Sequence, residues 1–212
     1  MEVRMDRSPL IIAMKGHPGT GKSTLAHAIA TALRIPLIDK DDVRNHTHPL
    51  STSSSAKQLN DLSYLVIWQI AKTQVDMGLS VVIDSPLSCL AYLDHLKEIA
   101  APVGAHVVII ECVSHDEAKW RQRLEERGTN DVASWHKPLT WYDLKKLVEK
   151  YDGCYNYDVG DVPKMVVDTT SQAKMEELVS AVLRFIATHA DTAGGCGVDN
   201  QILEMMPPGL ST

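Results

Sequence analysis

Eight consecutive residues, Gly16-His17-Pro18-Gly19-Thr20-Gly21-Lys22-Ser23, fit the pattern GxxxxGK[ST] without a gap. Few patterns restrict a fold so tightly. The glycines let the backbone turn so that successive N–H groups point at phosphate oxygens, and the following helix adds its positive N-terminal end. In this pattern Lys22 reaches the β- and γ-phosphates and the Ser23 hydroxyl ligates Mg²⁺. The flanks agree. LIIAMK, immediately before, is a short apolar run of strand length, and STLAHAIATAL, from Ser23 onward, has the apolar period of a helix. The expected cradle for ATP is therefore Gly16, His17, Pro18, Gly19, Thr20, Gly21, Lys22, Ser23 and Thr24, held between a strand and a helix.

The rest of the chain repeats that alternation. Strand-like runs at residues 10–15, 36–39, 80–84, 105–113 and 164–168 alternate with helical patterns at 22–33, 55–77, 88–100, 115–127, 141–151 and 172–189. Runs such as VVIDS and AHVVIIECV are almost continuously apolar, as strands of a parallel sheet covered on both faces must be. The expectation is a three-layer α/β fold with a five-stranded parallel sheet, helices on both faces and right-handed crossovers. Residues 1–190 would form one domain. STSSS at 51–55 reads as a mobile linker, residues 128–140 as a polar, aperiodic lid, and the Gly- and Pro-containing tail at 191–212 as disordered.

A net charge of −6 lacks the basic footprint of a nucleic-acid binder. No apolar run approaches the roughly 18 residues of a membrane span, and MEVRMDRSPL has no apolar core of a secretory signal. Cys89, Cys112, Cys154 and Cys196 are far apart in sequence, which reads as reduced thiols of a cytoplasmic protein. Nucleic acid, membrane and obligate protein partners are not expected; a small-molecule acceptor is.

A phosphate cradle does not by itself distinguish kinases, GTPases and motors, so the other strand ends must decide. The second strand ends in Leu37-Ile38-Asp39-Lys40-Asp41-Asp42-Val43-Arg44. Asp39 is expected on the Mg²⁺ side and Asp41, ahead of Asp42, as the base that activates an acceptor hydroxyl, with Arg44 one turn along the next helix. If the strand stayed extended through Asp41, the two carboxylates would face the phosphates and Lys40 would face away. Asp84, closing the apolar run VVID, is expected near Mg²⁺ or the acceptor. The residue after it is Ser85 rather than Glu, and no [NT]KxD guanine-reading motif occurs, so a transferase is favoured over a motor or a GTPase. Arg123 and Arg127, four apart before the lid, could neutralise the transferring phosphoryl group. Trp135 and Trp141 begin an aromatic concentration that also holds Tyr142, Tyr151, Tyr155 and Tyr157, readable as an acceptor wall or as a satellite core.

With these residues in place the chain resembles the small P-loop kinases, in particular the group around zeta-toxin-like, chloramphenicol-phosphotransferase-like and adenylylsulfate-kinase-like proteins. LIDKDDVR is similar to the LDGDNxR pattern of adenylylsulfate kinases, with Lys40 in place of Gly and Asp42 in place of Asn. The resemblance implies a P-loop NTPase fold, ATP and Mg²⁺ as cofactors, acceptor contact by Arg44, and adenine held beside Thr169 and Thr170. It implies transfer of the γ-phosphoryl group to a hydroxyl. Alternatives are a nucleotide or polynucleotide-end kinase, and an ATP-hydrolysing switch or toxin-like effector with no dedicated acceptor.

Overall fold

A computed structural model describes residues 8–130, 135–151 and 153–190, without the side chains of 128–130. Five strands, β1 (Leu10–Lys15), β2 (Leu37–Asp39), β3 (Val81–Asp84), β4 (His106–Val113) and β5 (Lys164–Asp168), form one parallel sheet in the order β2-β3-β1-β4-β5. The helices are α1 (Lys22–Leu33), α2 (Lys40–Asn45), α3 (Ala56–Asp76), α4 (Leu90–Ala100), α5 (Glu117–Asn130), α6 (Trp141–Lys150) and α7 (Met175–Ala190). The α/β reading of the sequence is the observed fold.

The continuous apolar strands follow from the two-residue period of the pleat, which sends neighbouring side chains to opposite faces. Ile11 and Ala13 of β1, Val81 and Ile83 of β3, and Val107 and Ile109 of β4 enter one core, beneath Tyr64, Ile67 and Ala71 of α3 and Leu93 and Leu96 of α4. Ile12, Met14, Val82, Val108 and Ile110 enter the other, against Leu25 and Ile29 of α1 and Val182 and Ile186 of α7. Both faces are buried, so no polar alternation survives. β1 lies at the centre, its Ile12 registered with Val82 on one side and Val108 on the other. A ligand at its carboxyl end therefore sits in the middle of the sheet, at the crevice where strand order diverges.

Three local details differ from the sequence expectation. Residues 51–55 form a bonded turn: Ser53 and Ser54 N–H donate to the Leu50 carbonyl, and Ser55 and Gln58 make a reciprocal capping box that starts α3. β2 ends at Asp39, whose side chain caps α2, so Asp41 stands in a helical turn rather than an extended strand. α5 runs on to Asn130, carrying the first residues of the anticipated lid as helix. Residues 131–134 and the tail at 191–212 lie outside the described residues. Among the described residues no helix is long and apolar enough to cross a membrane.

Candidate active site

Chain chemistry fixes the phosphate loop glycine by glycine. Gly16 has φ 147, and a Cβ on it would meet the Cys112 carbonyl oxygen at 2.6 Å and Thr20 Oγ1 at 2.9 Å. Gly19, at φ 81, would set a Cβ 3.0 Å from Trp120 Nε1. Only glycine lets the loop pass this close to β4 and α5. Side chains then tie it from outside. Trp120 Nε1 donates to the Pro18 carbonyl (2.9 Å), Thr20 Oγ1 donates to the His17 carbonyl (2.8 Å), and Thr169 Oγ1 donates to the Thr20 carbonyl (2.8 Å). Arg123 in turn donates to the Thr169 hydroxyl (3.1 Å) and carbonyl (2.9 Å).

A second tie is a column of rings. The His17 ring stacks on Tyr155 with centroids 3.9 Å apart, and the other face of this cluster meets Lys15, whose Nζ lies 3.2 Å from the Tyr155 centroid. Trp120 and Tyr151 also stack on His17, at 6.1 and 5.7 Å. Burial, with help from Lys15 and Lys22, drives the His17 pKa down to about 4, so the ring is neutral at physiological pH. Sequence reasoning missed this clamp. Tyr151 and Tyr155 carried a signal as part of the aromatic concentration, but nothing in the order of residues pairs them with position 17.

Facing the loop are the carboxylates. Asp39 and Asp84 are register partners at the ends of β2 and β3. Asp84 is 3% exposed, and its Oδ2 has no hydrogen-bond partner among the described residues. Burial and then the charge of Asp84 push Asp39 up to about 7. The buried Asp84 with its orphaned oxygen, the half-buried Asp39 beside it, and the Ser23 hydroxyl lining the same cavity are a hard oxygen donor set that suits a divalent cation such as Mg²⁺.

Asp41 is not the free carboxylate expected of a base. Lys137 Nζ lies 2.8 Å from its Oδ2, and His136 Nε2 and Lys40 Nζ lie 3.1 and 3.4 Å from its Oδ1. Burial alone would raise its pKa, but these three groups outweigh that and hold it well below the ordinary carboxylate range. Lys40 does not face away. It is buried, lines the cavity and reaches Asn60 Oδ1, because α2 starts at that residue.

One cavity of about 1240 Å³ joins these parts, which exceeds the ≈ 300–1,000 Å³ of a usual single-ligand pocket. Its lining includes Gly19, Gly21, Lys22, Ser23 and Thr24 of the phosphate loop and α1, Arg123 and Arg127 of α5, Thr169, and also Asn60, Tyr64, Tyr92 and Tyr151. Several anticipated contacts are turned elsewhere. Arg44 is 2% exposed and donates to the Thr47 hydroxyl and the Ala56 carbonyl, with its guanidinium 4.2 Å over Trp135. A buried guanidinium so used braces α2 against α3, and Arg44 does not line the cavity. Trp135 borders a separate cleft of about 370 Å³, and Trp141 packs edge-on against Trp120 at 5.2 Å. The Thr170 hydroxyl is held by Asp168 at 2.5 Å, and only Thr169 of that pair lines the cavity. Asp42 is exposed and outside the cavity.

Known proteins are similar at both levels. The chain is 23% identical over 202 residues to an adenylyl-sulfate kinase of Geotalea uraniireducens, covering 92% of this chain and 89% of that protein. A gluconokinase from Sinorhizobium meliloti superposes with TM-score 0.60 at 20% identity, over 89% of this chain and 97% of that one. The adenylyl-sulfate kinase of Mycobacterium tuberculosis, solved with AMPPNP and APS, gives 0.57 at 14%, over 85% and 99%. These likenesses show the fold of small-molecule P-loop kinases. Residues 11–149 match the profile of the AAA domain family, which together with the phosphate loop at the centre of the sheet places this chain in that family.

Proposed function

We propose that the protein is an ATP-dependent phosphotransferase that moves the γ-phosphoryl group to a hydroxyl of a small molecule. The observation that carries this is one cavity of about 1240 Å³ whose lining joins the phosphate loop, the carboxylates of Asp39, Asp41 and Asp84, and Asn60, Tyr64 and Tyr92, a volume above that of a usual single-ligand pocket. A hydrolase needs no room for a second ligand; a transferase does.

Lys22 and the loop amides bind the β- and γ-phosphates, and Arg123 and Arg127 reach the cavity from α5, where they can offset charge on the group in transit. Ser23, Asp39 and Asp84 would hold Mg²⁺, which when bound neutralises phosphate charge and orients the chain of phosphates. Thr169 keeps the loop in place through Thr20. Asp41 sits on the acceptor side, and Tyr64, Tyr92 and Asn60 offer ring faces and an amide to a polar acceptor.

The test is ATP consumption by the full chain, with and without a panel of hydroxyl-bearing metabolites, and mass analysis of the products. Turnover that rises with one acceptor, and a product heavier by one phosphoryl group, support the reading. Lys22→Ala should lose on the order of 2–3 kcal/mol of phosphate contact. Unchanged ATP affinity and turnover in that variant would remove nucleotide chemistry from the site.

A further inference from the structure

The solvent face of α3 carries a pattern that the rest of the described chain does not use. A surface helix ordinarily turns an apolar stripe to the core and a charged face to water. Residues 62–71 of α3, LSYLVIWQIA, hold no charged side chain over nearly three turns. Tyr64, Ile67 and Ala71 of that run enter the core. Leu62, Leu65 and Ile70 do not: they are 42%, 59% and 42% exposed, with Val66 half-buried among them. Positions 62, 65, 66 and 70 have the i, i+3, i+4, i+8 spacing of one helix face. Of the eleven large apolar side chains exposed in the described chain, five fall between Leu62 and Leu79. That is a patch, unlike the single exposed apolar residues that any soluble surface carries.

The charges that frame this run say what covers it. Lys57 and Asp61 precede it and Lys72 and Asp76 follow it, so along the helix the signs read plus, minus, plus, minus. A parallel second copy in register would set like against like at all four. An antiparallel copy that places Asp61 opposite Lys72 also places Lys57 opposite Asp76, so one register pairs opposite signs throughout. Asp61 and Lys72 are close to three whole turns apart and share a flank of the stripe. We propose that α3 is the seam of a homodimer, packed antiparallel on its own copy about a two-fold axis. In that register the axis crosses α3 between Val66 and Ile67, the middle of the uncharged run. Leu62 meets Ile70 of the other copy, the Leu65 and Val66 side chains of both copies close on the axis, and each contact occurs twice, as an isologous interface requires. The Lys72–Asp76 pair within one chain is exposed, so turning Lys72 toward the other copy costs little. A seam of one helix per copy is small beside the roughly 800 Å² per partner of a standard interface, so the dimer is reversible, with Kd in the micromolar range. Lys57 and Asp61 also line the large cavity, so seam and cavity share two residues.

Sedimentation of the full chain without ligand, across the micromolar range, tests this. The parent should show a monomer–dimer equilibrium. Leu65→Glu sets two like charges on the axis and should raise Kd about 10²-fold; because Leu65 is exposed, the circular dichroism of the variant should match that of the parent. Register is tested by charge reversal. Asp61→Lys alone, or Lys72→Glu alone, makes two repulsive pairs and should weaken the dimer about fivefold or more, while the two together should return Kd to within about threefold of the parent. In a Cys154→Ser background, Val66→Cys should form an intermolecular disulfide on mild oxidation, since the axis passes beside it. A parent that stays monomeric, whatever else then covers α3, overturns the proposal. So does a dimer that Leu65→Glu leaves intact. Failure of the double reversal to restore what either single reversal lost overturns the antiparallel register, and the proposal with it.

Discussion

Replacing Glu111 by Gln should destabilise the protein and loosen its phosphate loop together. Lys15, the last residue of β1 before Gly16, is one of the most deeply buried charges in the described chain; its side chain is 3% exposed and its Nζ lies 2.8 Å from Glu111 Oε1. Removing one partner of a buried pair costs about 3–5 kcal/mol. Gln returns part of that, since its amide oxygen still accepts from the ammonium, and the Tyr155 ring at 3.2 Å remains as a cation–π partner worth on the order of 2 kcal/mol. The pair of Glu111 with the exposed Lys164 at 3.2 Å adds at most about 1 kcal/mol to the loss. The expected cost is about 2–3 kcal/mol, or roughly 5–10 °C in Tm for a domain of this size. Lys15→Met together with Glu111→Gln should recover most of it, because no charge is then left buried, giving a coupling of about 2 kcal/mol.

Urea melts of the four proteins of that cycle, in chelator and without nucleotide, measure these quantities. Burial alone would raise the Glu111 pKa, but the hydrogen bond and charge of Lys15 outweigh it and set the folded value below the ordinary one. The unfolded chain then binds the proton first, so stability from this group is present above the ordinary glutamate range and is lost as pH falls below it. Glu111→Gln should erase that acid limb. Because Tyr155 bridges Lys15 and His17, the same variant should bind ATP more weakly. A Glu111→Gln protein within about 0.5 kcal/mol of the parent, or a double variant as unstable as the sum of the singles, would refute the reasoning.

Gly19→Ala puts a Cβ against Trp120 at φ 81, and the left-handed penalty of about 1–2 kcal/mol should cut ATP affinity about tenfold or more, measured by calorimetry. His17, at about 4 when folded and 6.5 when free, refuses a proton that the unfolded chain accepts, so its contribution to stability declines as pH falls from about 6.5 to 4. His17→Asn should flatten that segment of the stability–pH curve; an unchanged slope there would mean that the ring is not buried neutral. Asp84→Asn should abolish the rise in Tm that Mg²⁺ gives the parent, and should not lower stability in chelator, since it removes a buried carboxylate that stands beside the like charge of Asp39. An undiminished Mg²⁺ response in that variant would take Asp84 out of the metal site.

The fold was legible because its determinants are local. Val81–Ile83 of β3 and Val107–Ile110 of β4 are apolar at successive positions because both faces of the sheet are covered, and the glycines at 16, 19 and 21 each adopt a positive φ demanded by the turn. The end of β2 was less so. Asp39-Lys40-Asp41 reads equally well as an extended DxD or as a helix start, and what decides is that Asp39 accepts from the Asp41 N–H at 2.8 Å. A capping carboxylate is a helix-start signal as strong as any in the sequence, and it reverses the inference about Lys40: a residue pointing away from the site on a strand points into it from a first helical turn.

The site was legible only where one segment supplies the chemistry. Lys22, Ser23 and Asp84 line the cavity and could be picked out from their own neighbours in sequence, whereas each contact that depends on a distant segment was hidden. Arg44 has the right type and position to meet an acceptor, but Trp135, 91 places on in sequence (135 − 44), covers it and fixes it to Thr47 and Ala56. His136 lay inside a stretch that reads only as a polar lid, and its meaning depends on Asp41, which is 95 residues away. A single chain order carries no record of such pairings, because the energy that selects them is that of burial and hydrogen bonding between segments brought together only by the fold.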